Sequence, residues 1–303
     1  MACAGFGHSM GATVIINLAL LHPRLLSTIF AIEPIINKHS SGMNFVGLHA
    51  ITNRRDTWTS RTDAESFFRK SLYCKSWDAR IMQLWLHYGL RKCRNNATPH
   101  SASDPKEDAV MLVTTADQEA LSFGRASYPK FGESLSSFVP SWERHVDIGV
   151  GSEHTKTNPF YRPEATMTFQ ALPRLRPSCF FLYGESSHMA SANAQGRLDK
   201  REITGTANDG SGGIKMGRVQ DKVIKGSHFC PFEHPYIVAK EAALWFQSEI
   251  TTWRDAEEKE QKQWKAVPLD QRAMVDEDWG KWLSDVYGRR KAASTKQNVS
   301  SKL

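Results

Sequence analysis

The stretch Ala2-Cys3-Ala4-Gly5-Phe6-Gly7-His8-Ser9-Met10-Gly11-Ala12 decides the fold. It holds the pattern Gly-x-Ser-x-Gly, with small residues before it and an apolar run, Ala12 to Leu21, after it. In such a pattern a strand turns sharply into a helix and leaves the serine oxygen exposed above the sheet. Side chains two positions either side of the serine are expected to collide with neighbouring backbone, which accounts for Gly7 and Gly11. The helix N-terminus places the Met10 amide where it can bind a developing oxyanion. The bare pattern arises by accident in about one chain in ten of this length, so its context matters. Met10 to Leu21 reads as a helix ending at His22-Pro23, where the proline stops it. Leu26 to Ile32 is then an apolar run suited to a buried parallel strand. Strand, turn, helix and strand is the order the motif demands, and an accidental Gly/Ser turn is the competing reading.

Gly7-His8-Ser9-Met10-Gly11-Ala12, His22-Pro23 and Phe30-Ala31-Ile32-Glu33-Pro34 resemble the nucleophile elbow, following helix and next strand of the α/β-hydrolases. Within that superfamily the chain looks most like the fungal peroxisomal lipase-like branch. That branch includes hydrolases from gene clusters that make host-selective polyketide toxins with an epoxy-decatrienoic acid core. The likeness runs along nearly the whole chain, including a cap segment around Trp77-Asp78-Ala79-Arg80. It implies an α/β-hydrolase fold, a parallel sheet flanked by helices, with a helical cap insertion and no cofactor.

A serine hydroxyl needs a general base, and the base needs an orienting carboxylate. In this fold they follow in the order serine, acid, histidine. Arg218 to Ile224 reads as a short strand and Lys225 to Pro235 as the loop after it, with a long amphipathic helix beginning near His234. His228 matches the family's catalytic histidine in position and in its neighbours, a preceding Gly-Ser and a following Pro and Glu. His234 is the fallback, and a purely structural loop histidine is the alternative to both. The acid has two candidates. The commonest family location is the loop after the strand Ser178 to Tyr183, where Ser187 stands in place of the usual aspartate and Glu185 is adjacent. The other is the end of the strand after the elbow helix, occupied by Glu33. Ser9 and Glu33 end two parallel strands joined by one crossover helix, so both emerge on the same sheet edge, neighbouring strands lying about 4.8 Å apart. A carboxylate ending an apolar strand also needs a partner if it is buried. Glu33 is preferred and Glu185 is the alternative.

The resemblance divides the chain into hydrolase core (1–36), helical cap (37–172), core again with the histidine loop (173–253), and a C-terminal helical extension with an unstructured tail (254–303). Ala64 to Lys70 and Ile81 to Leu90 have helical apolar spacing. Trp77, Trp85, Tyr88 and Phe131 are candidates for pocket lining or cap core. Cys93 to Lys106 and the glycine-rich span Leu198 to Gly217 read as loops, the latter flexible. The last residues, Ser301-Lys302-Leu303, match the peroxisomal import tripeptide. A random terminus matches it on the order of once in a few thousand chains, so a peroxisomal matrix location and an import receptor as partner are expected.

Composition excludes several classes. The chain has 303 residues, of which 40% are hydrophobic and 23% charged, enough for a buried core. No run approaches the ~18 apolar residues of a membrane span, and no secretory leader is evident. The net charge of +7 is spread out, with one small cluster at Arg289-Arg290-Lys291. Without a recognition motif it implies a solvated surface with some pull on anionic substrates, and no nucleic acid partner. Five scattered cysteines without a C-x-x-C pair read as free thiols. The Asn96 and Asn298 glycosylation matches read as chance.

Two functional expectations follow. The first is a serine hydrolase cleaving an ester or thioester of a lipid-like acyl chain, with a small acyl substrate, in fungal toxin biosynthesis. A serine at the elbow argues against epoxide hydrolysis, for which this fold ordinarily uses an aspartate. The second is a non-catalytic remnant or binding protein keeping the cap and pocket. Hydrolases of this type carry roughly a hundred residues before the elbow, with several core strands and a second oxyanion donor; here only Met1 to His8 precede Ser9. The expectation is therefore a fold lacking its N-terminal strands.

Overall fold

The structure, a computed structural model, describes residues 3–38, 45–93, 108–134, 160–187 and 194–300. β1 (Ala4–His8) leads through Ser9 into α1 (Met10–Leu21), and the chain returns as β2 (Thr28–Ile32). Then come α2 (Phe45–Thr52), β3 (Thr57–Trp58), α3 (Arg61–Lys70), α4 (Ala79–Tyr88), β4 (Leu90–Lys92) and β5 (Val110–Leu112). α5 (Ala116–Phe123), β6 (Arg125–Ala126), β7 (Phe160–Tyr161) and α6 (Glu164–Ala171) precede β8 (Ser178–Gly184). α7 (Ala194–Ile203), β9 (Val219–Ile224), α8 (Cys230–Glu233), α9 (Pro235–Ala266) and α10 (Glu277–Ser300) follow.

Among the described residues the main sheet has the order β1-β2-β8-β9, parallel throughout. β2 and β8 are buried at every position, which is why they read as unbroken apolar runs rather than alternating ones. Their side chains still alternate between faces. Ile29, Ala31, Cys179, Phe181 and Tyr183 pack with Ala12, Ile16 and Ala19 of α1. Phe30, Ile32, Phe180 and Leu182 pack with Val238, Ala242 and Trp245 of α9. The register sets Phe6, Phe30 and Phe180 side by side, and their rings stack at 5.6 and 5.0 Å.

Between β2 and β8 the chain builds a cap with its own core, in which Trp58, Ala64, Phe68, Met82, Leu86, Leu90, Val110 and Leu112 are buried together. The two helices expected there form. Ser60 Oγ accepts the Asp63 amide at 3.1 Å to start α3, and Asp78 Oδ1 accepts the Arg80 amide at 2.9 Å to start α4. The cap also holds a small antiparallel sheet, β3-β5-β4, whose strands are too short to show a period in the sequence. Trp77 and Trp85 pack on this core. Tyr88 and Phe131 are exposed and belong to no core. Of the expected Cys93–Lys106 loop, residues 94–106 lie outside the described residues.

The span Leu198 to Gly217 differs from the flexible loop expected of its glycines. α7 runs through Ile203, and the chain beyond is bonded back to the core, Ala207 N to Pro173 O and Ser211 N to Leu175 O, each at 2.9 Å. The glycines allow turns to lie against neighbouring backbone. A Cβ on Gly210 would sit 2.5 Å from the Pro173 carbonyl. Cys3, Cys74, Cys93, Cys179 and Cys230 are free thiols.

Residues Ile250–Leu303 form a second compact unit. Within it the Arg272 guanidinium lies 5.8 Å from the Trp264 ring centroid, and Asp276 Oδ1 accepts the Trp279 amide at 2.8 Å at the start of α10. That helix continues to Ser300, so most of the stretch expected to end in an unstructured tail is helical. Ser301-Lys302-Leu303 lies outside the described residues. No described helix is long and apolar enough to cross a membrane.

Candidate active site

The turn after β1 is held in a conformation that side chains rarely adopt. Ser9 has φ 57°, a left-handed value disfavoured for non-glycine residues. Its amide bonds the Ile32 carbonyl at 2.8 Å, and its own carbonyl accepts the Ala12 amide at 3.2 Å. Gly7 makes the turn possible, since a Cβ there would lie 2.7 Å from the Ala12 backbone nitrogen. Gly11 corrects the sequence argument: a Cβ there meets nothing within 4 Å, because α1 has already carried the chain away from the turn. Met10, as the first residue of α1, has a backbone N–H with no acceptor in its own helix.

Glu33 ends β2 in a second left-handed turn, with φ 49°, and is 0% exposed. Its carboxylate is surrounded by donors. The Gly184 amide reaches Oε1 at 2.6 Å, the Ser187 hydroxyl reaches Oε2 at 2.5 Å, and His228 Nδ1 lies 3.1 Å from Oε2. On the far side of the ring, His228 Nε2 is 2.9 Å from Ser9 Oγ. A carboxylate at Nδ1 favours the tautomer with its proton there, leaving the Nε2 lone pair for the serine hydroxyl.

The loop carrying His228 is fastened from several sides. Ser227 donates its amide to Glu233 Oε2 at 2.6 Å and its hydroxyl to Oε1 at 2.8 Å. Ser76 of the cap donates to the same Oε1 at 2.9 Å, and the Asp78 amide bonds the Phe232 carbonyl at 2.8 Å. Burial pushes the Glu233 carboxyl up, but its Ser227 and Ser76 donors outweigh this and hold it below the ordinary value. Gly184 lets the loop approach, since a Cβ there would lie 2.2 Å from the Ser227 carbonyl oxygen. His8 Nε2 bonds the His228 carbonyl at 2.8 Å. Burial pushes the His8 imidazole below its ordinary value, favouring the neutral ring that donates through Nε2. Above the loop, Tyr73 packs on Phe229 and Trp77 on Phe232, with ring centroids 4.6 and 4.8 Å apart.

The structure thus brings Ser9, His228 and Glu33 together. Glu185 is exposed and stands outside this set; its amide bonds the Ile224 carbonyl at 2.7 Å. His234 follows α8 and is also outside it. Ser187, Gly184, Glu233 and His8 join the site through the structure; in the sequence Ser187 shows only as a serine standing where an acid is expected, and Glu233 only as a neighbour of His228. Among the described residues no group of His, Cys, Asp and Glu side chains is arranged to hold a metal ion.

A parallel sheet, a serine on a left-handed strand-to-helix turn and a helical cap define an α/β-hydrolase, and the chain has that fold. Proteins similar in sequence include a thioesterase and an abhydrolase domain-containing protein. The type I acyl-CoA thioesterase mpaH of Penicillium brevicompactum is 28% identical over 96% of this chain, which covers 68% of that protein. The abhydrolase domain-containing protein ACTT2-2 of Alternaria alternata is 24% identical over 92% of this chain and 96% of its own length. Among solved structures, the peroxisomal α/β-hydrolase Lpx1 of Saccharomyces cerevisiae superposes with a TM-score of 0.56 at 13% identity. The match covers 98% of this chain, which spans 63% of the length of Lpx1. No family model matches the chain.

Proposed function

We propose that the protein hydrolyses a thioester or ester of a lipid-like or polyketide acyl chain, with Ser9 as nucleophile, His228 as base and Glu33 as orienting acid. The observation that carries this is the continuous hydrogen-bonded line from Ser9 Oγ through His228 to Glu33, at 2.9 and 3.1 Å. Ser9 Oγ attacks the acyl carbonyl carbon while His228 Nε2 takes its proton. The tetrahedral oxyanion lies against the Met10 amide at the head of α1. Collapse breaks the bond to the leaving thiolate or alkoxide, which receives the proton from His228. Water then attacks the acyl-serine with His228 again as base, releasing the acid and restoring Ser9.

A thioester is the favoured bond, because the relative from Penicillium brevicompactum is named an acyl-CoA thioesterase. The likeness of the elbow and cap to hydrolases of host-selective toxin clusters favours a polyketide acyl intermediate as substrate. Peroxisomal location is proposed from Ser301-Lys302-Leu303, and the structural neighbour from Saccharomyces cerevisiae is itself a peroxisomal α/β-hydrolase. A fluorescent fusion with and without the tripeptide tests this; equal distribution of both would remove it.

For the chemistry, folded protein is treated with a fluorophosphonate probe and the adduct located by peptide mapping, alongside thiol release from a panel of acyl-CoA thioesters. The expected result is one adduct, on Ser9, and release that stops when Ser9 is blocked. Folded protein carrying no Ser9 adduct would sink the hydrolase reading and leave a binding protein of the same fold.

A further inference from the structure

Against the segment that follows Glu33 lies a charged group that the mechanism above does not use. Lys200, on α7, is 1% exposed. Its Nζ donates to the Ile36 carbonyl at 3.2 Å and lies 5.6 Å from the centroid of the Tyr183 ring. Tyr183 is itself fully buried, and its hydroxyl oxygen has no hydrogen-bond partner among the described residues. One carbonyl and an aromatic face do not replace the hydration of an ammonium, and a buried cation without a counter-charge is strongly disfavoured.

The charged groups around it differ in burial. Glu33 at the end of β2 is fully buried and, besides Lys200 and His228, faces the titratable groups of His8, Tyr183 and Cys230. Asp199, next to Lys200 on α7, turns to Lys38 at 3.5 Å and Gln195 at 2.7 Å. Asp221 on β9 faces Arg197 and Arg201, at 3.8 and 3.1 Å. Burial pushes Lys200 down to about 8, while Glu33 and, less strongly, Asp199 pull it up. The Ile36 carbonyl that Lys200 holds belongs to the same short segment that leaves Glu33 in its left-handed turn.

We propose that Lys200 is a positioning residue for Glu33: its buried ammonium balances the carboxylate and pins the turn that aims it at His228. The proposal rests on the catalytic reading of Ser9, His228 and Glu33. Without the cation, the Glu33 carboxylate is left with the Gly184, Ser187 and His228 donors alone, and the Glu33–His228 pair takes up a proton at higher pH. A protonated pair cannot accept the Ser9 proton, so the site shuts off earlier as the medium is acidified.

The test is the rate of Ser9 labelling by a fluorophosphonate as a function of pH, over roughly pH 5 to 9. In Lys200→Met and Lys200→Gln the pH of half-maximal rate should move upward by about half a unit or more. In a Glu33→Gln background the same replacements should move nothing. A lysine that merely fills space would lower the rate by one factor at every pH, and that result overturns the proposal.

A reciprocal measurement needs no Lys200 variant to fold. The Lys200 side chain, followed by carbon NMR, should lose its proton at lower pH in Glu33→Gln than in the unaltered protein. An unchanged Lys200 titration overturns the proposal while leaving the Ser9 reading intact. A Lys200 that responds to Glu33→Gln in a protein whose Ser9 never labels overturns the catalytic reading, and removes the purpose assigned to the pair.

Discussion

The two ends of the main sheet each bury a polar cluster, and they are built on opposite principles. At the carboxyl ends of the strands, Ser9 and Glu33 sit in left-handed turns, and the Glu33 carboxylate gathers donors from β8, its following loop and the histidine loop. At the amino ends, Glu249 is bonded by Arg218 at 2.9 Å and Ser178 at 2.6 Å. Thr28 there accepts the Trp245 indole N–H at 2.8 Å and lies 2.8 Å from the Ser178 hydroxyl. None of these residues has a positive φ among the described backbone. The second cluster is a closed arrangement of regular geometry that ties α9 to the sheet. Burial of polar groups therefore does not by itself mark a site in this fold. Backbone strain, together with a proton acceptor left facing a hydroxyl, does.

The sharpest way to break this contrast is at Ser9. Ser9→Gly should abolish fluorophosphonate labelling and raise the unfolding free energy by about 1 kcal/mol as the left-handed strain is relieved. A loss of stability instead would mean that the turn is not strained. Glu33→Gln should slow labelling by about a thousandfold or more, because an amide favours the wrong imidazole tautomer. A rate within tenfold would remove Glu33 as the acid.

At the other end, Glu249→Gln should cost about 2 kcal/mol in urea unfolding by weakening the pairing with Arg218. Labelling of the folded fraction should stay within about twofold. A slowing that matched Glu33→Gln would dissolve the distinction between the ends. Ser187→Ala removes one donor from Glu33 and should slow labelling by about tenfold. The smallest effect is expected at Glu185→Gln, less than about twofold for an exposed surface change. A larger loss there would reopen the choice between the two carboxylates.

How far the site could be read in advance follows from chain separation. The β1–α1–β2 unit is local, and its glycine, helix run, proline stop and apolar strand all lie in one short stretch, so Ser9 and the position of Glu33 were legible. The preference for Glu33 over Glu185 was legible too, but the donors that hold the Glu33 carboxylate were not: the Gly184 amide and the Ser187 hydroxyl come from β8 and the loop after it, at sequence separations of 151 and 154. Lys200 was invisible for a related reason: in a span rich in glycine and charge it reads as a solvated side chain, and only packing against Tyr183 and Ile36 buries it. The glycine rule succeeded at Gly7 and failed at Gly11 because pattern cannot tell which neighbour comes close.

The position of Glu33 at the end of β2 has a consequence for how the molecule assembles. Ser9 and Glu33 are delivered by a single strand–helix–strand unit, whereas His228 must be brought back across separations of 219 and 195 residues. An acid in the loop after β8 would instead have met His228 through the neighbouring strands β8 and β9, leaving Ser9 as the residue to be brought across the cap. Here the cap's length enters the loop-closure entropy once, for the histidine alone, and that cost grows only logarithmically with length. The insertion is therefore free to lengthen, shorten or diversify without disturbing the encounter of Ser9 with Glu33.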